Sequence, residues 1–343
     1  MLGAVHALLT ALAQPGVDVV HAHAPSSAAL LIALLGSPRR LRNCVFTLHG
    51  SYSHFRLRSR LLLHAVFAVF PTLVVCGHSP YRTLPSSLRR LGQGKIQVIQ
   101  NGVDVDRVDR ILALSSSARP TADLATRPFT VIFVGRLIDV KNPSGLLRAF
   151  LRLEDSSARL VFVGDGYLRT PLMQEAARHA PGRVLFTGLV DRDDVYRHLA
   201  DADLYVSMSY SEGLPVAVLE AMACRLPVVL SDICAHREIV GDAGFVPLAS
   251  PDDVDGVVRA IERLQRMPRA DREKIADRCR ALVADRFSVR AMNRQYERVY
   301  LDVARRQGDG ENRIQTRGTR PRRDEMPSYG EVGRRRSRPE GCA

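Results

Sequence analysis

Short apolar runs alternate with longer amphipathic stretches along the first third of this 343-residue chain. The apolar runs predict strands with their following loops, in order, at 17–24, 43–50, 72–77 and 95–104. Helices are predicted between them at 26–36, 56–70 and 80–91. This alternation is typical of a parallel α/β sheet, whose crossover helices cover both faces.

The same alternation returns after a break at 105–127, which is rich in Ser, Ala, Arg and Pro and has weak periodicity. Strands are predicted at 129–134, 160–166, 184–190, 203–209 and 226–232, and helices follow at 251–267, 270–285 and 288–305. Because this length suits two domains, we predict a first lobe over 1–104, a connection over 105–127 and a second lobe over 128–287. The composition of 307–343, with few apolar residues, predicts a disordered basic tail.

Composition places the chain among globular proteins, since 46% of its residues are hydrophobic and 25% are charged. Its six cysteines lack the spacing of metal ligands, and we expect structural thiols in a reducing, cytoplasmic setting. No apolar run reaches the 18 residues expected of a membrane span.

Charge is concentrated in residues 1–127, where 14 Lys and Arg stand against 5 Asp, or +9 of the total +13. Such a basic lobe indicates an anionic partner, either a phosphate-bearing acceptor or an anionic membrane surface, or an arginine-rich surface that serves only solubility. Helix 56–70, which opens with Arg56, Arg58 and Arg60, fits a peripheral membrane contact or core packing. Nucleic acid is not an expected partner, because aromatic residues are 6% of the chain and no recognised module is present.

The stretch SEGLPVAVLE, residues 211–220, combines a loop, a helix start and two carboxylates. Pro215 fits the first helical turn, so the helix is predicted to begin near Leu214. The free amides of Gly213, Leu214 and Val216 would then form an anion site, with Glu212 and Glu220 on the same side of the helix.

Two cations are predicted beside that anion site. The strand at 129–134 leads into Gly135 and Arg136, and Lys141 lies at the next helix start. Fixed cations there suit a pyrophosphate leaving group, whose charge grows as the bond to it breaks. In the first lobe, the residues at the carboxyl ends of the strands are predicted to face the same crevice: His21, His23, His49, Gly50, His78, Asn101 and Gly102.

Glu212 and Glu220 form a Glu-x7-Glu pattern within SEGLPVAVLEAMACRLPVVLSD that resembles the signature of the retaining glycosyltransferases of family 4. DVVHAHAP, FTLHG, VIQNGVD and the segment around Glu238 resemble further landmarks of that family, so the likeness covers both lobes. It implies the GT-B fold, in which two Rossmann-like lobes with parallel sheets face a central cleft. It also implies that helix 288–306 returns to the first lobe.

The resemblance further implies transfer of a hexosyl unit, with retention, from a nucleotide-diphospho-sugar to a glycan, lipid-linked or small-molecule acceptor. Glu212 would orient the donor sugar hydroxyls, His49 would lie near the reacting sugar, and Glu220 would hold the ribose. Gly188 to Val190 would contact the nucleotide base, while Arg136, Lys141 and the amides of the helix entrance would bind the diphosphate. No Asp-x-Asp metal site is evident, so neither a cofactor nor a metal is expected.

The beginning of the chain departs from this family. A single helix of about 14 residues is predicted before DVVHAHAP, where family members carry a strand and a Gly-rich loop. We therefore expect a first lobe that is truncated at one edge of its sheet. Two alternatives stay open, a sugar-nucleotide epimerase of the same fold and an inactive remnant that binds nucleotide-sugar.

Overall fold

The computed structural model describes Thr10 and residues 17–35, 41–116 and 127–315. Its first sheet contains four parallel strands in the order β1-β2-β3-β4. These are β1 (Val20–Ala22), β2 (Cys44–Leu48), β3 (Thr72–Val75) and β4 (Ile96–Val98). The two central strands are buried along their whole length, as expected of a parallel sheet covered on both faces.

Between residues 17 and 104, the described ranges contain four α-helices beside this sheet: α1 (Pro25–Leu35), α2 (Leu57–Val69), α3 (His78–Arg82) and α4 (Ser86–Leu91). The prediction of one helix over 80–91 is wrong, because the chain breaks between α3 and α4. Pro85 lies at the break, where its ring removes a backbone donor and disfavours helical geometry in the preceding residue. The predicted helix ahead of residue 17 falls, Thr10 apart, outside the described residues, and the truncated sheet edge stays a prediction.

Helix α5 (Val105–Ser116) occupies the first half of the stretch that was predicted only as a connection. Its Val108 and Ile111 are buried in a cluster with Tyr196 and Leu199 of the second lobe. The apolar side chains recur at helical spacing, but the charged residues between them weakened this signal in the sequence. Residues 117–126 lie outside the described ranges.

The second sheet contains six parallel strands in the order β10-β9-β8-β5-β6-β7. They are β5 (Thr130–Val134), β6 (Arg159–Val163), β7 (Val184–Gly188), β8 (Leu204–Ser207), β9 (Val228–Ser231) and β10 (Leu248–Ala249). The chain builds outward from β5 through β6 and β7, and then continues on the other side of β5 with β8. The order of strands therefore reverses between β5 and β8.

Helices cover both faces of this sheet: α6 (Pro143–Leu151), α7 (Arg169–His179), α8 (Arg192–Asp201), α9 (Val216–Ala223), α10 (Cys234–Val240), α11 (Val254–Arg266) and α12 (Arg269–Arg286). One buried cluster contains Phe133, Phe150 and Phe162, and the cluster on the opposite face contains Tyr205 and Phe287. The prediction of two parallel α/β lobes is thus confirmed.

Helix α13 (Val289–Gln315) follows the second lobe but packs on the first. Its Val299 and Val303 are buried with Val45, Val74 and Ile99 of the first lobe. At the crossing, the Val103 amide donates to the Phe287 carbonyl at 2.8 Å, and the Val289 amide donates to the Val103 carbonyl at 2.9 Å. The two segments that link the lobes are therefore hydrogen-bonded to each other.

The prediction of disorder from residue 307 is wrong for 307–315, which continue α13. Extending an existing helix adds a hydrogen bond per residue without a new nucleation step, so the polar sequence does not end it at once. The rest of the predicted tail, 316–343, lies outside the described residues. Among the helices that the structure describes, none combines the length and apolarity needed to cross a bilayer.

Candidate functional site

The reversal of strand order between β5 and β8 positions the candidate site. β5 leads into Gly135, whose φ of 152° favours glycine, and then into Arg136. β8 leads into Ser209 and Glu212. In open α/β sheets, ligands bind beyond the carboxyl ends of the strands at such a switch point, so these two loops define where a ligand would lie.

Lys141 and Glu212 form an ion pair at this position. Lys141 Nζ donates to the two carboxylate oxygens of Glu212 at 2.6 and 2.7 Å, and Ser209 Oγ donates to Oε1 at 2.7 Å. The Glu212 side chain is only 9% exposed and that of Lys141 is 23% exposed. A poorly hydrated pair is favourable only when further hydrogen bonds complete it, and Ser209 supplies one.

A cavity of about 300 Å³ opens beside this pair. It brings together five of the residues that the sequence predicted for one site: Gly135, Arg136, Lys141, Glu212 and Val216. Arg136 is exposed, in contrast to the largely buried Glu212. The cavity thus joins two cations, a carboxylate and a helix N-terminus.

Helix α9 begins at Val216, two residues later than predicted. Pro215 is its N-cap, with a ψ of 108° that is not helical. The Leu214 carbonyl accepts a hydrogen bond from Asn101 Nδ2 at 2.8 Å, and the Leu214 backbone also hydrogen-bonds the Cys76 thiol. Of the three amides predicted to form the anion site, that of Val216 alone belongs to the first turn.

Gly213 lies where the two lobes touch. A Cβ at this position would come within 2.6 Å of the His49 carbonyl oxygen and 3.3 Å of Gly50 Cα. Glycine is therefore required by the close approach of the first-lobe backbone. Gly50, predicted to face the crevice, instead forms part of this contact.

Glu220, 7% exposed, lies behind the cleft wall. Its Oε1 accepts hydrogen bonds from Arg192 Nη2 at 3.0 Å and from the Tyr196 hydroxyl at 3.2 Å. Burial and, to a smaller extent, the charge of Glu220 raise the pKa of Tyr196 to about 12. Arg192, with a side chain 56% exposed, is the member of this group that reaches solvent. No motif or spacing in the sequence analysis pointed to this residue.

A larger cleft of about 910 Å³ lies between the lobes and α13. The first lobe contributes five of the predicted crevice residues, His21, His23, His49, Asn101 and Gly102. Arg192, Tyr196 and Val216 line it from the second lobe. Val216 also lines the smaller cavity, so both spaces adjoin the entrance of α9.

Three histidines of this cleft contact one another. His23 Nδ1 lies 2.8 Å from His49 Nε2, and the rings of His21 and His23 are 4.0 Å apart. Burial, with the nearby His23 and His49, lowers the pKa of His21 to about 4. Partial burial also lowers the pKa of His23, and burial together with His23 lowers that of His49. The cluster is therefore neutral at pH 7.

Gly188 and Val190, predicted to contact a nucleotide base, line neither of these two cavities. A Cβ at Gly188 would lie 3.5 Å from Arg169 Nη2, and Val190 packs against the cluster around Tyr196. Leu189 between them is 82% exposed. This segment therefore lies outside the linings of the cleft and of the cavity beside the Lys141–Glu212 pair.

Glu238 connects the lobes in a way that the sequence analysis did not predict. Its carboxylate accepts hydrogen bonds from the backbone amides of His78 at 2.8 Å and Ser79 at 2.6 Å, and from Gln100 Nε2 at 2.6 Å. His78 therefore contributes its backbone to a contact between lobes, whereas its side chain was predicted to face the crevice. The resemblance of the segment around Glu238 to a family landmark pointed to this residue, but it did not indicate a contact between the lobes.

Two further histidines lie near the Lys141–Glu212 pair. His54 comes from the first lobe, and burial lowers its pKa while Glu212 opposes and Lys141 adds to that shift. His236 is fully buried; its Nδ1 lies 2.8 Å from the Ser231 carbonyl, and its Nε2 has no partner in the described part of the chain. Burial lowers the pKa of His236 to about 4.

Comparisons with known families agree with this geometry. A family profile described as glycosyl transferases group 1 matches residues 116–281. A second, described as glycosyltransferase family 4, matches residues 1–107. The two matches include both loops of the switch point and the first-lobe side of the cleft.

Curated relatives are similar over most of the chain. The putative teichuronic acid biosynthesis glycosyltransferase TuaC of Bacillus subtilis is 27% identical over 290 residues, which cover 82% of this chain and 71% of the relative. An Escherichia coli UDP-Gal:alpha-D-GlcNAc-diphosphoundecaprenol alpha-1,3-galactosyltransferase is 26% identical over 258 residues, 72% of this chain and 66% of the relative. The chain therefore spans about two thirds of the length of such relatives. Both relatives are named as transferases, and neither is named as an epimerase.

Solved structures agree on the fold. Anabaena Alr3699/HepE, in complex with UDP and glucose, aligns with a TM-score of 0.69 at 20% identity and covers 83% of this chain and 78% of its own. Sucrose-phosphate synthase from Thermosynechococcus elongatus aligns with a TM-score of 0.71 at 21% identity, covering 87% and 77%. The predicted GT-B arrangement of two parallel-sheet lobes is confirmed.

Proposed function

We propose that the chain transfers a hexosyl unit from a nucleotide-diphospho-sugar, with retention, because its two parts match the group 1 and family 4 glycosyltransferase profiles. The observation that carries this proposal is the small cavity at the switch point. Arg136, Lys141 and the Val216 amide converge there on a space that suits a diphosphate. The UDP complex of Anabaena HepE, a protein of the same fold, supports a nucleotide ligand.

Charge development explains the choice of residues. When the bond between the sugar and the diphosphate breaks, negative charge grows on the departing phosphate oxygen. Arg136 and Lys141 stabilise that charge, and the partial positive charge at the N-terminus of α9 adds to it. Glu212 holds Lys141 in position and presents its carboxylate to the donor sugar hydroxyls.

A front-face path fits these groups best. The anomeric carbon loses its bond to the phosphate oxygen and forms one to the acceptor oxygen on the same face, which retains the configuration. The acceptor proton passes to the departing phosphate oxygen, so no separate base is needed. His49, exposed on the cleft wall, would contact the reacting sugar. This chemistry requires no metal, and metal independence stays a prediction.

The donor nucleoside would lie on the second-lobe side of the cleft. We assign Glu220 to the ribose hydroxyls together with Arg192, because Arg192 covers Glu220 and is the exposed member of the pair. Gly188 to Val190 remain assigned to the base by resemblance. Gly213 and Leu214 would shape the helix entrance, and the Val216 amide would bind phosphate.

The acceptor would enter from the first lobe, and we propose a glycan or lipid-linked acceptor at the inner face of the membrane. The name of the E. coli relative, with its diphosphoundecaprenol substrate, supports this class. Helix α2 buries Leu63, Val66 and Phe67 in the core, while Leu57 and Leu61 are 72% and 64% exposed beside Arg58. Such a helix can pack in the lobe and also contact anionic lipid, which flotation with anionic liposomes tests.

The experiment that tests the function begins with thermal shift against a panel of nucleotide-diphospho-sugars, followed by transfer assays with the stabilising donor. Lys141→Ala and Arg136→Ala should each lower kcat by about 100-fold or more, because each removes stabilisation of the leaving group. Lys274→Ala is the matched control, since Lys274 forms an exposed ion pair with Asp271. Unchanged kcat in Lys141→Ala and Arg136→Ala, or a product of inverted configuration, would contradict the proposal.

A further inference from the structure

The histidine cluster of the large cleft contains more than the single histidine that the proposed function uses. His49 has one ring nitrogen, Nε2, at 2.8 Å from His23 Nδ1, and the two rings stack at 5.1 Å with a 29° interplanar angle. One of these nitrogens donates and the other accepts. The contact therefore restricts the plane of the His49 ring and couples the tautomer of His49 to that of His23.

His23 is in turn in contact with the ring of His21, which is itself held by hydrogen bonds. The His21 ring lies 4.0 Å from it, and His21 is bonded through both nitrogens, with Tyr300 OH and Thr47 Oγ1 each at 2.7 Å. Thr47 also lies 3.2 Å from the Tyr296 hydroxyl. His21 is thus held by hydrogen bonds from β2 and α13, and its ring limits the movement of the His23 ring.

We propose that His23 is a positioning residue for His49, fixing its ring and its proton so that Nδ1 of His49 faces a bound hydroxyl. This inference rests on the proposed function for the role of His49. The physical basis is that a partner on one ring nitrogen fixes the tautomer and therefore the hydrogen-bonding character of the other. An exposed histidine without such a partner would rotate and exchange tautomers.

Other ionisable groups share the cleft with the two rings. The charged and titratable ones besides the tyrosines are Asp18, His21, Asp104, Arg107, Arg192 and Glu297. Arg107 is paired with Asp193 and Arg192 with Glu220, so their charges are partly compensated. The hydroxyls of Tyr296 and Tyr300 are bonded to Thr47 and His21. The direct interaction between His23 and His49 is therefore the one that single substitutions can remove cleanly.

Two substitutions separate the hydrogen bond from the charge. His23→Leu removes both, whereas His23→Asn retains a polar atom near the position of Nδ1 but cannot become charged. At pH 8, His23→Leu should lower kcat by about 10- to 100-fold, while its donor KM should stay within about threefold of the wild-type value. His23→Asn should recover most of the lost kcat. Burial and, after it, the charge of His23 lower the pKa of His49, so loss of His23 should move the acid limb of kcat to higher pH in both variants.

Nitrogen-15 NMR of histidine-labelled protein gives a readout that needs no transfer activity. In the wild type we expect a ring N–H proton that is shared by His23 and His49 and protected from exchange. In His23→Asn the protected signal should come from His49 alone. In His23→Leu it should be lost. His64→Leu is the control, since His64 lies on α2 and bonds Arg60 O and Ser87 Oγ.

Wild-type kcat in a folded His23→Leu protein, with an unchanged His49 signal, would overturn the inference. So would equal losses in His23→Leu and His23→Asn, since steric support alone would then explain them. If the wild type transfers no sugar, the proposed function fails, and the NMR result alone still decides whether His23 orders His49.

Discussion

Glu220, a carboxylate buried behind the cationic side chain of Arg192, is the acidic group that we propose for the donor ribose. Glu220 accepts from Arg192 and Tyr196, so its removal leaves a guanidinium and a hydroxyl without their partner. Hydrogen bonds to charged groups contribute about 1.5–3 kcal/mol each. The cost of losing Glu220 should therefore appear in donor binding and only secondarily in the chemical step.

We expect Glu220→Ala to raise the donor KM by about tenfold or more and to lower kcat less. Calorimetric titration with the preferred donor checks this, with Glu273→Ala as the control because Glu273 forms an exposed pair with Arg269. Equal donor affinity in wild type and Glu220→Ala would refute the ribose assignment.

His236 makes stability depend on pH. Its folded pKa is about 4 against an ordinary value of 6.5, so between these values the unfolded chain binds more protons than the folded one. Stability should therefore be full above pH 6.5 and fall by about 3 kcal/mol as the pH drops to 4. His21, with a folded pKa also of about 4, acts in the same direction.

Urea unfolding at several pH values measures this effect. His236→Gln should flatten the dependence between pH 6.5 and 4, even though the variant starts less stable at pH 8. An identical pH slope in the wild type and in His236→Gln would show that burial of this imidazole is not the cause.

At the residue scale, sequence reasoning located Gly135, Arg136, Lys141 and Glu212, because each follows a strand whose apolar run is easy to recognise. It did not find that Lys141 and Glu212 pair directly, or that Arg192 covers Glu220. Those contacts depend on side-chain directions and on the packing of α8 against α9, which no spacing in the sequence specifies.

At the scale of elements, the loop before α9 lies in close contact with the backbone of the first lobe. Gly213→Ala would place a methyl group 2.6 Å from the rigid His49 carbonyl. We expect a loss of about 1–3 kcal/mol in stability, together with lower activity, because the entrance of α9 must shift. Thermal unfolding and transfer assays measure the two effects.

Gly244→Ala is the matched control for this glycine. A Cβ at Gly244 would meet no atom within 4 Å, and its backbone requires no positive φ. It should leave stability within about 0.5 kcal/mol of the wild type. If the two alanine variants behave alike, the contact between Gly213 and the first lobe is not a constraint.

The strands were predictable because buried parallel strands are continuous apolar runs bounded by turn residues. The boundaries of the helices were less predictable from the sequence. The helix predicted over 80–91 was divided at Pro85, α9 began after Pro215, and α5 formed where charged residues obscured the helical repeat. In each case a tertiary contact or a proline determined the boundary, and local propensity alone did not resolve it.

At the scale of the molecule, Glu238 holds the second lobe against the N-terminus of α3 in the first. Glu238→Gln retains the size of the side chain but replaces one acceptor oxygen by a donor, which faces a backbone amide. We expect the lobes to separate more often, with kcat lowered by about tenfold and the radius of gyration increased.

Small-angle scattering and steady-state kinetics on the same samples check this expectation. Glu154→Gln, whose carboxylate is exposed and pairs with Arg266, is the control. Unchanged scattering with unchanged kcat in Glu238→Gln would show that other contacts, such as Gly213 on His49, suffice to hold the lobes together.

The paired crossing of the chain at Val103 and Phe287 limits how the lobes can move. Two adjacent covalent links form a hinge, which permits rotation of the lobes about one axis and resists their translation or twist. Opening and closing should therefore follow a single angular coordinate, with the mouth of the cleft travelling farthest and the crossing itself nearly still.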